Sequence, residues 1–557
     1  MKKFLNIFIL MILLAAVSLT GCGGSSGSTS STSDDSGTEE SGGGSSGSSS
    51  TPDATQPSVD GISVEDAATA VEAGDPFVIT FSEDMDSTTI TAGTITLVNT
   101  DTSEEVPVDI SSSGKIVTIT PTVDLDFFTE YTLTVATGTK DPSGNSLDQS
   151  YTRTFTTGDG SWKTAKTINS AGLWPAVVMD ENTNALFAWS IPSGATPGIY
   201  ATSYTASTRG WSDEEAIGSG IMTSFKMDMN TSGDAFAIWS KSGRTYVAKY
   251  SDASWETATA IDSIADATTY GYQDIEIDEN GNAIAVFAET HTAPTIGLSA
   301  NIYTAATDSW GSPTSLWDDG VYGQIAMNAS GVAMAVGTPL ASGGYTNVKA
   351  SRYSSGSWSS PVTINSDSHD GTIYAGMQVA MDSNGNTIAV WIQDNNLWAN
   401  IYSASTSSWG TAGLLETGSG AASVPQIAFD NDGNAIAVWQ QSDGTYTNIY
   451  YNRYNGTAWG GATLLSNATS NATNPQIAID KNNNAIVVWT QTNGSAVDVY
   501  AIRYVASTSL WGETEVIDNT SYTASSPQIA MGGNGTATAV WYQQNEGNIS
   551  IGANRFK

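Results

Sequence analysis

The side chains that most often carry catalysis are scarce in this chain. It holds two histidines, His291 and His369, in different segments and without a motif around either, and its one cysteine is Cys22. No GxSxG elbow precedes a helix-length periodic run, and neither HExxH nor a P-loop pattern occurs. A general acid and base pair of glycosidase type is defined in space rather than by spacing, so hydrolysis stays open as a minority reading. What recurs instead is the neutral amide. Gln378, Gln426, Gln476 and Gln528 open one kind of short apolar segment, and Gln393, Gln441, Gln491 and Gln543 close the kind that follows it. If the two kinds are antiparallel strands, the opening of one and the end of the next share a rim. The polar loops 440–448 and 466–475 belong to that rim as well. Amides and hydroxyls beside aromatics suit a glycan or an extended peptide better than a phosphate. The plainer alternative is that these glutamines satisfy backbone groups at sheet edges.

The elements that position them repeat. Aligned on the residue that ends segments such as NAIAVW, the chain gives Trp189, Trp239, Phe287, Gly337, Trp391, Trp439, Trp489 and Trp541, about fifty residues apart. A second series of tryptophans runs Trp162, Trp211, Trp255, Trp310, Trp358, Trp409, Trp459 and Trp511. Each repeat holds four strand-like segments rich in Val, Ile, Tyr and Trp, and no helical period appears. Four strands per fifty residues is the pattern of a propeller blade, so residues 160–557 are expected to form an eight-bladed β-propeller. A seven-bladed ring is the alternative, with the repeat at Gly337 as the unit in doubt. The region opens with a lone fourth-type segment near Trp162 and ends with a third-type one, ISIGANRFK, so the last blade is expected to take its outer strand from near residue 162.

Nine positions before the first series stand Asp180, Asn230, Asp278, Asn328, Asp382, Asp430, Asp480 and Gly532, followed in most repeats by a glycine. One carboxylate per turn is sparse for calcium and suits an Asx-type turn. The first tryptophan series is more economically packing than sugar stacking. Arg352, Arg453, Arg503 and Arg555 share one position in the third segment and read as structural cations rather than a carboxylate clamp.

Residues 56–158 differ. Short alternating segments such as FVITF and YTLTVAT, divided by turn residues, read as a β-sandwich of about one hundred residues. FSEDMD at 81–86, the segment from Pro121 to Tyr131, and KDPSGNSLDQSYTRTFTT together resemble the SbsA-type bacterial Ig-like family over nearly the whole region. The resemblance implies a spacer or adhesive module. Glu83, Asp84, Asp86 and Asp141 are the weak candidates for an oxygen-rich calcium site, with solvated loop carboxylates as the simpler reading; no other cofactor is expected.

Ahead of the sandwich, Lys2 and Lys3 and an apolar run form a signal-peptide pattern over 1–21. The run ends Leu19-Thr20-Gly21-Cys22, which resembles the bacterial lipobox and implies diacylglycerol and palmitate on Cys22. Residues 22–55 are mostly Gly, Ser and Thr and behave as a tether. The balance of 19 Lys+Arg against 56 Asp+Glu, a net charge of −37, disfavours nucleic acid and leaves the lipid as the membrane partner. The expectation is a monomeric lipoprotein of the bacterial envelope, outer membrane or cell surface, that recognises a glycan, envelope polymer or protein. A propeller-type hydrolase or lyase is the alternative, and an envelope scaffold a third.

Overall fold

A computed structural model describes residues 53–193, 196–220, 222, 224–263, 272–292, 295–318, 320–339, 347–365, 376–494, 496–518 and 522–557. The signal peptide, Cys22, all but the end of the tether, and His369 lie outside them. The described chain is all-β, with two short 3-10 turns and no α-helix among the described residues. None of its helices is long and apolar enough to cross a membrane.

The N-terminal region is a sandwich of two four-stranded sheets. Alternation in Phe77–Phe81 buries Phe77, Ile79 and Phe81, and Phe77 meets Phe155 of the facing sheet at 5.0 Å between ring centroids. The rest is a succession of eight antiparallel sheets of four or five strands, one per repeat. Their first strands are Leu173–Met179, Phe225–Met229, Gln273–Ile277, Gly320–Met327, Gln378–Met381, Ala422–Phe429, Ala472–Ile479 and Thr523–Met531. Each first strand lies against that of the next sheet, and Thr523–Met531 lies against Leu173–Met179. The final strand, Asn548–Phe556, takes Lys166–Asn169 as its outer partner, so the last sheet joins the two ends of the repeat region.

The second strands explain why the sequence repeats. In AIAVW at 435–439 the alternation puts Ala435, Ala437 and Trp439 on one face and Ile436 and Val438 on the other, and all five are buried. The small alanines leave room for the aliphatic face of the preceding sheet. Ile388 and Val390 pack on Ala435, Ala437 and Trp439, and Ile436 and Val438 pack on Ala485 and Trp489. Ile486 and Val488 then pack on Ala537, Ala539 and Trp541, and Val540 on Ala185 and Trp189. Removing one such tryptophan to alanine costs about 3–5 kcal/mol.

The fourth repeat obeys the same plan with a substitution. A Cβ on Gly337 would sit 2.8 Å from Cζ2 of Trp317 and 3.3 Å from Leu298 Cδ2, so a side chain of the third sheet fills the space that a tryptophan fills elsewhere. The second tryptophan series pairs across strands with an aromatic of the third strand, as in Tyr504–Trp511 at 5.3 Å and Tyr402–Trp409 at 5.6 Å.

Third-strand cations join successive sheets through aromatic faces. The Arg352 guanidinium lies 4.9 Å from the Tyr402 ring, Arg453 5.1 Å from Tyr504, Arg503 4.8 Å from Phe556, and Arg555 3.9 Å from Tyr204. This places all four arginines in the seams between sheets.

The sandwich rests on the Asp-turn side of the last and first sheets. Phe127 meets Phe556 edge-on at 5.7 Å, Asn534 Nδ2 donates to Asp124 O at 2.8 Å, and Arg209 Nη2 donates to Gly74 O at 2.7 Å. Arg503 reaches Asp159 at 2.9 Å. Among the described residues, no ion pair or side-chain hydrogen bond joins the sandwich to the opposite ends of the strands.

Candidate functional site

The turn carboxylates hold their own hairpins. Asp480 Oδ1 accepts from Asn484 N at 2.8 Å and Oδ2 from its side-chain amide at 2.9 Å, while Asn484 Oδ1 accepts from Ala506 N at 3.0 Å. Asp180, Asp278, Asp382 and Asp430 repeat the grip on the residue four ahead. In the last of these turns Gly433 supplies the positive φ of 79° that closes the hairpin. In the sandwich, Asp86 accepts from Thr88 N at 2.9 Å and Asp141 from Asn145 N at 2.8 Å. Glu83 also has a protein partner, and Asp84 lies beside Gly114.

The eight glutamines fall into two groups. Gln393, Gln441, Gln491 and Gln543 are buried, and each Oε1 accepts the indole N–H of the tryptophan two residues earlier, at 3.2, 3.0, 3.0 and 2.9 Å. The amide nitrogens of two then reach loops and that of a third an outer strand: Gln441 donates to Gly420 O at 2.9 Å and to Glu416, Gln491 to Ser470 Oγ at 3.1 Å and to Asn467, and Gln543 to Thr167 of strand Lys166–Asn169 at 3.4 Å. In the sixth and seventh sheets this ties the packing tryptophan to the loop above it.

Gln378, Gln426, Gln476 and Gln528 are half-buried, and their side-chain amides have no hydrogen-bond partner among the described residues. The expectation that Gln426 and Gln441 meet on one rim is corrected by the register. Gln441 pairs with Ala422, whereas Gln426 pairs with Val438. The first strand begins earlier than its sequence pattern implies because left-handed Val424, at φ 50°, shifts the register just before Pro425. Asn474 and Ser526, at 57° and 51°, do the same in the next two repeats. The inner glutamines therefore sit along the first strand, well inside the rim.

Their level carries different chemistry elsewhere. The position paired with the residue before the landmark is Ala176, Lys226, Asp274, Gln324, Gln378, Gln426, Gln476 and Gln528 in successive sheets. Two residues further on stand Val178, Asp228, Glu276, Ala326, Ala380, Ala428, Ala478 and Ala530. Lys226, Asp228, Asp274 and Glu276 thus concentrate charge on two adjacent first strands. Asp228 Oδ2 accepts from Ile277 N at 2.9 Å, and Asp274 Oδ2 from Ile325 N at 3.1 Å, so both carboxylates reach to the first strand of the next sheet.

Burial raises all three carboxyls. For Glu276 the charges of Asp228 and Asp274 add to burial, and Lys226 opposes it. Asp228 is raised by burial against the opposing Ile277 amide, and Asp274 by burial against Lys226. These residues were not expected as a site. The signal was available: two repeats write Lys-Met-Asp and Asp-Ile-Glu where five others write Gln-x-Ala. At the turn-side end, first strands from both halves of the repeat region line one depression of about 300 Å³. It is bordered by Met179, Met229, Phe429, Ile479, Met531 and Glu279.

Comparison with known families gives a name to the sandwich. Residues 53–157 are a bacterial Ig-like domain. The Ig-like domain is thus the part that contributes Asp124 and Phe127 to the turn-side contact. No curated relative matches the chain. Among solved structures, an ulvan lyase is 11% identical with a TM-score of 0.43, covering 70% of this chain and 95% of that one. NanB sialidase from Streptococcus pneumoniae is 10% identical, TM-score 0.34, covering 87% and 84%. Hydrazine synthase from Kuenenia stuttgartiensis is 10% identical, TM-score 0.38, covering 69% and 96%. Likenesses this remote carry no argument about activity.

Proposed function

We propose that the chain is a lipid-anchored protein of the bacterial envelope whose Ig-like domain carries an eight-bladed β-propeller that binds a glycan or envelope polymer without turning it over. The unbroken sequence of first-strand contacts and the shared last sheet support the eight-bladed reading. The observation that carries the binding reading is the row of four half-accessible, unpartnered amides on consecutive first strands, level with Lys226 and Asp274. Neutral amides facing a few charges match hydroxyl-rich ligands, which need donors and acceptors at fixed spacing. The Ig-like domain takes up the turn side, which leaves the loop side as the presented face.

Isothermal titration of the full chain against a panel of envelope glycans tests this. Binding that weakens tenfold or more in Gln426→Ala/Gln476→Ala, with no product formed, is the expected result. Failure to bind any glycan in the panel would overturn it.

The charged first strands favour one second reading, a glycan-active enzyme. A carboxyl raised by burial and by neighbouring carboxyls is the kind of group a glycosidase uses as its general acid, and Glu276 is raised by burial and then by Asp228 and Asp274. Release of chromophore from a glycoside, lost in Glu276→Gln and in Asp228→Asn, would favour it over binding alone.

A further inference from the structure

At the loop-side start of each third strand, one residue faces the end of the short outer segment. The registers Tyr246↔Ala260, Lys349↔Thr363, Trp398↔Leu414, Tyr450↔Leu464 and Tyr500↔Val516 fix that juxtaposition. Two residues further toward the loops stand Arg244 and Asp262, Asn347 and Asn365, Asn396 and Glu416, Asn448 and Ser466, and Asp498 and Asp518. The same place in five repeats can thus be compared directly.

In four of them the outer residue is satisfied. Asp262 accepts from Arg244 Nη2 at 2.6 Å and Thr245 N at 2.7 Å, and Asn365 Oδ1 accepts from Val348 N at 2.9 Å. Glu416 accepts from the Gln441 amide, and Ser466 Oγ accepts from Ile449 N at 2.9 Å. The seventh sheet differs. Asp518 is 3% exposed, and neither of its oxygens makes a well-aligned hydrogen bond, the Val499 amide being close enough to act on the carboxyl without closing one. Where the second sheet supplies Arg244, the seventh supplies a second buried carboxylate, Asp498, 7% exposed. Asn493 Nδ2 donates to one Asp498 oxygen at 2.7 Å, and no lysine or arginine forms an ion pair with either acid among the described residues.

Burial pushes Asp518 up to about 7, the nearby Val499 amide opposing this and the Asp498 charge adding to it. Tyr500 is raised by burial and then by both carboxylates, so the two charges act on one neighbour. A buried pair of like charges is costly unless a positive charge sits with it. Carboxylate oxygens with water completing the shell are what hard divalent cations select.

We propose that Asp498 and Asp518 bind a hard divalent cation, of the calcium or magnesium kind, at the loop-side edge of the seventh sheet. The cation takes the place that the Arg244 guanidinium holds in the second sheet. This site does not depend on the glycan reading, and it lies on the loop side beside Gln491, the cross-strand partner of Asp498.

The test uses the full chain stripped with chelator, titrated calorimetrically and melted above neutral pH with calcium and with magnesium. Wild type is expected to take up one more cation than Asp498→Asn or Asp518→Asn, and the cation to raise the melting temperature of wild type alone. Equal stoichiometry and equal thermal shifts in all three proteins would overturn the proposal. So would Asp518→Asn melting higher than wild type while cation does nothing to either, since the pair would then share a proton. If Asp518→Asn does not fold, terbium luminescence excited through Tyr500 decides between wild type and Asp498→Asn. A calcium-displaceable signal lost in the variant supports the site, and an unchanged signal sinks it.

Discussion

The fifth to eighth sheets and the second and third are built on one repeat, yet their first strands carry different chemistry. In the former, Gln378, Gln426, Gln476 and Gln528 are each followed two residues on by alanine; in the latter the same positions are Lys226 and Asp228, then Asp274 and Glu276. The second strands hardly differ, because every one must fit its small face to the aliphatic face of the sheet before it. What packs on both faces is held constant, and what lies at the inner edge is free to vary. Function is therefore to be sought on the first strands.

The largest effect should come from breaking the element that both halves share. Deleting residues 527–557 removes most of the first strand and all of the second and third strands of the last sheet, and leaves Lys166–Asn169 without a partner. The prediction is loss of the single cooperative unfolding transition of the repeat region, read by calorimetry. A truncated chain that melts as wild type does would refute the joined-end account. Next in size, Trp439→Ala should lower stability by about 3–5 kcal/mol in denaturant unfolding, since it empties a fully buried site.

A smaller effect separates the two halves by pH. Asp228, Asp274 and Glu276 have folded-state values raised above those of the unfolded chain. Their contribution is full below the unfolded carboxyl range and is lost as pH rises through the folded values. Melting temperature should therefore fall between mildly acid and mildly alkaline pH. Asp228→Asn should flatten that fall, and Gln426→Ala on the neutral side should leave it unchanged.

Much of this architecture was legible in the sequence. The tryptophan spacing announced eight units, and each became a sheet, including the one where Gly337 replaces the landmark. There the compensation came from Trp317, a residue of a different repeat, and no pattern internal to the fourth unit could reveal it. The Ig-like segment was legible from FSEDMD and its neighbours over nearly the matched range. The candidate site was read less well. Alignment found the glutamines, but the register shift at Val424 is a backbone event with no clear side-chain signature, so Gln426 and Gln441 looked like neighbours on one rim. The carboxylates of the second and third sheets do not recur, so alignment of the repeats does not single them out. A departure from the repeat was the better signal, and Asp498 with Asp518 is another.

The central claim is that the two sets of glutamines divide the work: the inner set meets ligand, and the buried set holds the tryptophans. Paired melting and glycan titration of Gln426→Ala/Gln476→Ala and Gln441→Ala/Gln491→Ala test it most directly. The inner pair should keep the wild-type melting temperature and lose affinity tenfold or more. The buried pair should lose about 1–3 kcal/mol of stability for each unsatisfied indole N–H. Equal loss of stability in both, or an inner pair that binds as wild type does, would contradict it.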